Sequence, residues 1–449
     1  MKRLNAFLVS VLATVALNAA EANTAVIEQV IVRQQWPWST DVKIEYKLKD
    51  VSSPVDVSVE AYNGDEKLDQ TRLDESLSGD RFGVTDVVGT IILDPVKAFG
   101  TEKVALANFK VKLSLSQSAA DSQDIFYKII DLADGFKVTN VRRCDFQNGK
   151  MGAYETDFKA IDPTYWTGLS DVLIWTGVTN NPDYFTTKLV MRRIPTEGVV
   201  TGTGAWGYYS KFSATDVENQ GKISHVTFSS DYYLSVFELT EKQIALLSGQ
   251  TFSSRGDNLP VASICHEQLL GDPASWNGWP TDKHAVAADS VIDIIRAKMP
   301  GMTFDLPTDA QWQYAAEAGT TNDLYIGSRM GSATTFTAAS IKIAWTDSNA
   351  EKTIHRGGLL RPNAFGLYDM LGNVAEICRD LSGDSVAKLV DEPTEDPCGP
   401  TDVTLPRFLG RGGSYSLGDS MSITERRRVY GVRSWKDLYL GVRLYLKGE

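Results

Sequence analysis

Histidine and cysteine are both scarce in this 449-residue chain, four of each, and neither is grouped in a metal-ligand spacing. His225, His266, His284 and His355 are scattered, so one local motif cannot supply the histidines of a non-haem iron site. Cys144, Cys265, Cys378 and Cys398 contain no C-x-x-C pair, which excludes a thiol redox motif and a zinc ribbon. No thiol follows Cys398. G-x-S-x-G, H-E-x-x-H and P-loop signatures are absent as well. Basic charge is also in short supply: 45 Lys and Arg face 57 Asp and Glu, a formal net charge of -12. Such a chain repels nucleic acid and anionic lipid, and leaves cationic partners and divalent metals open. Long apolar runs are missing too. The stretch Phe7–Leu17 is too short to span a bilayer, and no later segment is longer.

What is present begins with an export pattern. Lys2 and Arg3 precede the apolar stretch, and Ala20-Glu21-Ala22 offers a small-x-small cleavage site, so residues 1–22 read as a signal peptide. No cysteine stands at that site to carry a lipid. The expected product is exported (periplasmic, cell-surface or secreted) with no membrane insertion once the signal is removed. A hydrophobic content of 43% is globular, and the length calls for two domains.

Residues 23–143 alternate with period two. Val42, Ile44, Tyr46 and Leu48 share one face, Val55, Val57 and Val59 another, and Phe109, Val111, Leu113 and Leu115 a third. Asn63-Gly64 supplies a hairpin turn. This predicts an all-β, sandwich-like and possibly immunoglobulin-like domain. Residues 144–185 lose the alternation and read as a connector. From 186 to 449 the pattern is α+β: few helices among irregular loops and short strands. Thr240 with Gln243, and Thr308 with Gln311, have capping-box spacing. Trp312, Ala315 and Ala316 form an i, i+3, i+4 stripe, with Gly319 placed to cap the helix. A further helix is expected near Ala287–Met299, stopped by Pro300-Gly301.

Four segments of this second region carry a resemblance. They are VTFSSDYYLSVFELTEKQ (226–243), LPTDAQWQYAAEAG (306–319), NAFGLYDMLGNVAEI (363–377), and RGGSY (411–415) with LGVRLYL (440–446). In this order they resemble the formylglycine-generating enzyme, or sulfatase-modifying factor, family. The resemblance implies an irregular α+β domain similar in part to C-type lectins. In the family's enzymes two cysteines bind Cu(I), a soft ion that prefers sulfur, and the enzyme oxidises a sulfatase cysteine to formylglycine. Here those two positions read Leu417 and Ser422, and the family's W-E-W reads Ala375-Glu376-Ile377. Leucine offers no lone pair, so copper is not expected. Ser414, the family's active-site serine, is retained, although a turn hydroxyl bonded to backbone would account for it equally.

The resemblance also implies a calcium loop, with Asp369 and Glu376 as carboxylates and Gly372 and Val374 as carbonyl donors. The alternative is that Asp369 serves a turn and Glu376 pairs with an arginine, with Arg379, Arg411, Arg426, Arg427 and Arg428 as candidates. Four cysteines allow three full pairings. Cys378 with Cys398 is the first to consider, because both flank the loop between two family motifs. Arg426–Arg428 with Arg433 could hold an anion or pair with buried carboxylates, and Trp36 and Trp38 could be ligand aromatics or core. The expected function is a non-catalytic domain that binds or scaffolds an extracellular or periplasmic protein or glycan, with Tyr415–Asp437 as the ligand face by analogy with lectins. The alternative is a formylglycine-generating-type oxidoreductase or another oxidative enzyme on the same fold.

Overall fold

The computed structural model describes residues 24–34, 39–100, 108–156, 172–196, 226–272, 285–320, 324–326, 333–382, 394–396, 398, 407–417 and 428–448. The signal segment, Trp36, Trp38, His225, His284, Ser422, Arg426 and Arg427 lie outside them. The chain divides into two compact units, Met1–Asp124 with Arg142–Gly152, and Ile125–Val141 with Ala153–Glu449.

The described residues of the first unit form strands β1 (Val26–Gln34), β2 (Val42–Lys49), β3 (Val55–Asn63), β4 (Glu66–Lys67), β5 (Leu77–Gly79), β6 (Val88–Leu93) and β7 (Phe109–Gln117), with short helices between and after them. They make two antiparallel sheets, β1-β2-β6-β5 and β4-β3-β7. The alternation explains their packing. Ile44, Leu48, Val57, Val59, Ile91 and Leu93 point into one shared core, while intervening residues face outward. Asn63 pairs with Glu66 across a two-residue turn, and Gly64 takes a φ of 68° that a side chain would resist.

The second unit centres on an antiparallel sheet ordered β13-β21-β12-β10-β8-β9. Its members are β8 (Ile125–Asp131), β9 (Lys137–Arg142), β10 (Lys188–Ile194), β12 (Tyr232–Ser235), β13 (Phe304–Asp305) and β21 (Tyr445–Lys447). The domain boundary expected at residue 143 therefore falls elsewhere. The β8–β9 hairpin joins this sheet through β10, and Ile130 and Leu132 bury with Leu189 and Met191. Alternation gives a strand its two faces but does not name the sheet it joins, which is why 125–141 reads the same as the strands before it. The expected connector is likewise partly structural. Val172, Ile174, Trp175 and Phe185 are buried, and Trp175 packs edge-on against Tyr127 and Tyr184.

A second sheet, β19-β18-β16-β20, is made by β16 (Ala375–Ser382), β18 (Arg407–Arg411), β19 (Arg428–Val432) and β20 (Leu440–Gly441). Two short parallel pairs complete the set: β11 (Val226–Thr227) with β17 (Thr394–Glu395), and β14 (Ala344–Trp345) with β15 (Leu371–Gly372). Both capping boxes form. Thr240 opens the helix Glu241–Ser248 and Thr308 opens Asp309–Glu317, each with its glutamine bonded back to the cap. The predicted stripe of Trp312, Ala315 and Ala316 is fully buried. The left-handed residue ending that helix is Ala318, φ 44°, one position before the glycine expected there. The helix near 287–299 forms as Val291–Lys298, capped by Ser290.

Asn363 explains part of the N-A-F-G-L run. Its Nδ2 donates to the carbonyls of Ala315 (2.6 Å) and Ala316 (3.2 Å) at the end of the buried helix, while its Oδ1 accepts from Phe365 and Leu367. One side chain thus satisfies helix-end carbonyls and shapes the turn that leads into the site.

Candidate functional site

The turn after β18 carries the residues singled out for chemistry. Gly412 and Gly413 have φ of 87° and 72°, and a Cβ on Gly412 would lie 2.9 Å from the Met370 carbonyl oxygen. Glycine is required for this close backbone approach. Ser414 is completely buried, with its Oγ 3.1 Å from Ser416 Oγ. Its carbonyl accepts from Leu417 N at 3.2 Å. The Leu417 carbonyl accepts from Asp347 N, which brings the 345–355 loop against this turn. On that loop the rings of Trp345 and His355 stack at 3.8 Å with an interplanar angle of 14°. His355 Nε2 is held by the Ala350 carbonyl at 3.0 Å, and Trp345 Nε1 is a buried donor with no acceptor among the described residues. Ala375 and Ile377, at the family's tryptophan positions, fill the hydrophobic core.

Behind the turn lies a buried charge cluster. Arg443 Nε sits 2.9 Å from both oxygens of Glu376, its Nη2 donates to Oε1 at 2.7 Å, and Trp312 Nε1 donates to Oε2 at 2.5 Å. The same guanidinium donates to the carbonyls of Ser235, Val236 and Tyr368. Glu376 therefore does pair with an arginine, but with Arg443, which was not among the candidates. Asp369, in the left-handed region at φ 54°, accepts from Gly358 N at 2.8 Å through Oδ2, and its buried Oδ1 has no partner among the described residues. Burial pushes its carboxyl up to about 6, against the pull of the Gly358 amide and Arg443. Glu238, hidden in F-E-L-T, is the third carboxylate here. It accepts from Val374 N (2.9 Å) and Asn373 Nδ2 (2.6 Å), and burial, with Asp369 and Glu376 nearby, pushes its proton affinity well up. Gly372 donates its N–H to the Gly412 carbonyl, and Val374 donates its own to Glu238.

The four residues assigned to calcium by resemblance are thus brought together unequally. Asp369 keeps an unsatisfied oxygen, whereas Glu376 is committed to Arg443 and Trp312. Arg443 balances Glu376, and the oxygen left over in the cluster is Asp369 Oδ1, an atom of the hard kind that calcium takes. No group of three His, Cys, Asp or Glu side chains among the described residues could hold a metal by itself, so backbone carbonyls would have to supply most ligands. Glu238, Asn373 and Arg443 had no role assigned from the sequence. The signal was present, since F-E-L-T and L-G-V-R-L lie within the matched segments.

The Cys378–Cys398 bridge is not formed, and all four cysteines are free. Cys378 packs in the core, with its Sγ nearest the Glu376 carbonyl, while Cys398 lies beside the guanidinium of Arg379. Adjacent strand residues face opposite sides, so Cys398, on the Arg379 side, does not meet Cys378. Arg433 is engaged by protein groups. It bonds to Asp272 and the Gly271 carbonyl, and its Nε donates to His266 Nδ1 at 3.1 Å. Arg379 and Arg411 likewise pair with Asp305 and Asp309.

The class this architecture defines is borne out by comparison: residues 197–446 match the model of the sulfatase-modifying factor enzyme 1-like domain. More than half of the chain is covered, and the chain belongs to that family. A curated relative is the serine/threonine-protein kinase pkn1 of Chlamydia pneumoniae, 32% identical over 145 residues, which are 30% of this chain and 21% of the kinase. The chain thus spans about a fifth of that relative's length. Among solved structures, Treponema denticola variable protein 1 is 21% identical, covering 58% of this chain and 95% of its own, with a TM-score of 0.42. PvdO from Pseudomonas aeruginosa is 18% identical over 57% and 94%, with a TM-score of 0.41.

Proposed function

We propose that this protein is an exported, non-catalytic binding domain of the sulfatase-modifying factor family, with a ligand face formed by the Ser414–Leu417 turn and the Trp345–His355 stack. Leu417 carries the reading. It stands where the family's first thiolate belongs and has no atom able to coordinate copper. Among the described residues, the Ser414 hydroxyl bonds to that of Ser416. The exposed Ser416 and half-buried Tyr415 of this turn offer hydroxyls to a ligand such as an extracellular protein or glycan. Export rests on the sequence of residues 1–22. Among the described residues, no helix is long and apolar enough to cross a membrane. The decisive assay incubates the protein with Cu(I), oxygen and a C-x-P-x-R peptide beside an active oxidase, and looks for aldehyde by mass spectrometry. No turnover is expected; aldehyde would overturn the reading.

We propose also that Asp369 takes part in holding one calcium ion, for which Gly372 and Val374 would contribute carbonyls. The supporting observation is the orphaned Oδ1 of a buried carboxyl on the loop that carries Gly372 and Val374. The ion would supply charge compensation and loop stability, not chemistry. Calcium titration by calorimetry, with Asp369→Asn as the control, tests it: binding by both proteins or by neither defeats the assignment.

A further inference from the structure

Asn373 is the point where four chain segments meet. It is fully buried and held at φ 54°. Its backbone N–H donates to the Trp345 carbonyl at 2.9 Å, and its carbonyl accepts from Tyr415 N at 2.9 Å. Its side-chain amide clamps the His355 backbone: Oδ1 accepts from His355 N at 3.0 Å and Nδ2 donates to His355 O at 3.0 Å. The second hydrogen of Nδ2 goes to Glu238 Oε2 at 2.6 Å, and Glu238 Oε1 accepts from Val374 N.

An amide clamp of this kind works in one orientation only, and Glu238 selects it. Oε1 accepts from the Val374 N–H and Oε2 from Asn373 Nδ2, so both oxygens of Glu238 face donors and the amide nitrogen of Asn373 is the atom turned toward it. That leaves Oδ1 for the His355 N–H. We infer that Glu238 is a positioning residue, which orients Asn373 and through it fixes the His355 backbone, so that the Asp369–Val374 loop and the Trp345–His355 face move as one element. The inference builds on the binding face proposed above but does not need the calcium ion.

Glutamine at 238 makes the requirement visible. One of its two terminal atoms becomes an NH2 group. Turned toward Val374, that group meets an N–H; turned toward Asn373, it meets another NH2. If Asn373 flips to accept from it, His355 N–H faces a nitrogen donor and the His355 carbonyl faces an oxygen. No arrangement satisfies all four groups.

Amide hydrogen exchange on the full-length protein tests this, using wild type and Glu238→Gln. In the variant, exchange should quicken on the order of tenfold at both Val374 and His355, with the helix Asp309–Glu317 unchanged. Acceleration confined to Val374 would overturn the inference. A second measurement needs no variant: in wild type across a low-denaturant series, Val374 and His355 should open with the same dependence and the same midpoint. Separate openings would refute the single element. Repeating the series with calcium and with chelator separates the two ideas. A shared opening that calcium leaves unmoved keeps the clamp and discards the ion.

Discussion

Asp369→Asn, made in the presence of a chelator, is expected to stabilise the domain at neutral pH. The carboxyl is wholly buried, bonded on one oxygen and unpartnered on the other. Its folded-state value of about 6 lies above the 3.8 of an exposed aspartate. A group that holds its proton more tightly when folded favours the folded state in acid. The penalty for ionising it is complete above about pH 6 and vanishes below 3.8. Slightly more than two pH units at 1.36 kcal/mol each give about 3 kcal/mol. Asparagine keeps an oxygen for the Gly358 N–H, and its NH2 takes the place of an atom already without a partner, so little else changes. Calorimetry should show the variant melting roughly 5–10 °C higher at pH 7.5. The gap should close by pH 4, where both proteins are neutral at this position. Calcium should reverse the order, since it stabilises only the protein that binds it. A gap that stays flat between pH 7.5 and pH 4, or a variant less stable than wild type in chelator, would refute the reasoning.

Three further outcomes follow from the same geometry. Arg443→Met should cost about 3–5 kcal/mol by stranding Glu376, and adding Glu376→Gln should recover part of it; a double-mutant cycle by denaturant titration measures the coupling. Gly372→Ala should give insoluble protein, because a Cβ there lies 2.3 Å from the Trp345 carbonyl oxygen and φ is 79°; soluble protein with native circular dichroism would count against this packing. His266 is held to about 3 by burial and by Arg433, well below the usual 6.5, so folding should lose stability as pH falls below 6.5. At pH 5 this amounts to about 2 kcal/mol, and His266→Gln should flatten that part of the stability profile.

Local features were the ones legible in the chain. The two capping boxes, the Asn63-Gly64 turn and the alternation of β2 and β3 depend on residues within a few positions of each other, and each appears where its spacing puts it. The family motifs marked the second domain for a similar reason, as contiguous runs. The partners of the buried charges were not legible. Glu376 finds Arg443 67 positions away, and Glu238 reaches across 135 residues to Asn373. No periodicity encodes such pairings. The same holds for β8 and β9, whose alternating pattern fits either sheet system until the partner strand is known. The orphaned oxygen of Asp369 belongs to a third kind of feature, visible only when every neighbour of the atom can be counted.

The placement of β21 has a consequence for biosynthesis. This strand lies inside the six-stranded sheet, between β13 and β12, although among the described strands of that sheet it comes latest in the chain. Arg443, two residues upstream of β21, supplies bonds to the carbonyls at Ser235, Val236 and Tyr368. Until this segment emerges, β12 and β13 are left with open edges and Glu376 lacks its counter-charge. The nascent sheet therefore has to wait, with apolar surface uncovered, until residues 443–447 have been made. Ribosome-tethered chains stopped just short of Arg443 should remain protease-sensitive throughout this unit, and those extended past Lys447 should become resistant in a single step.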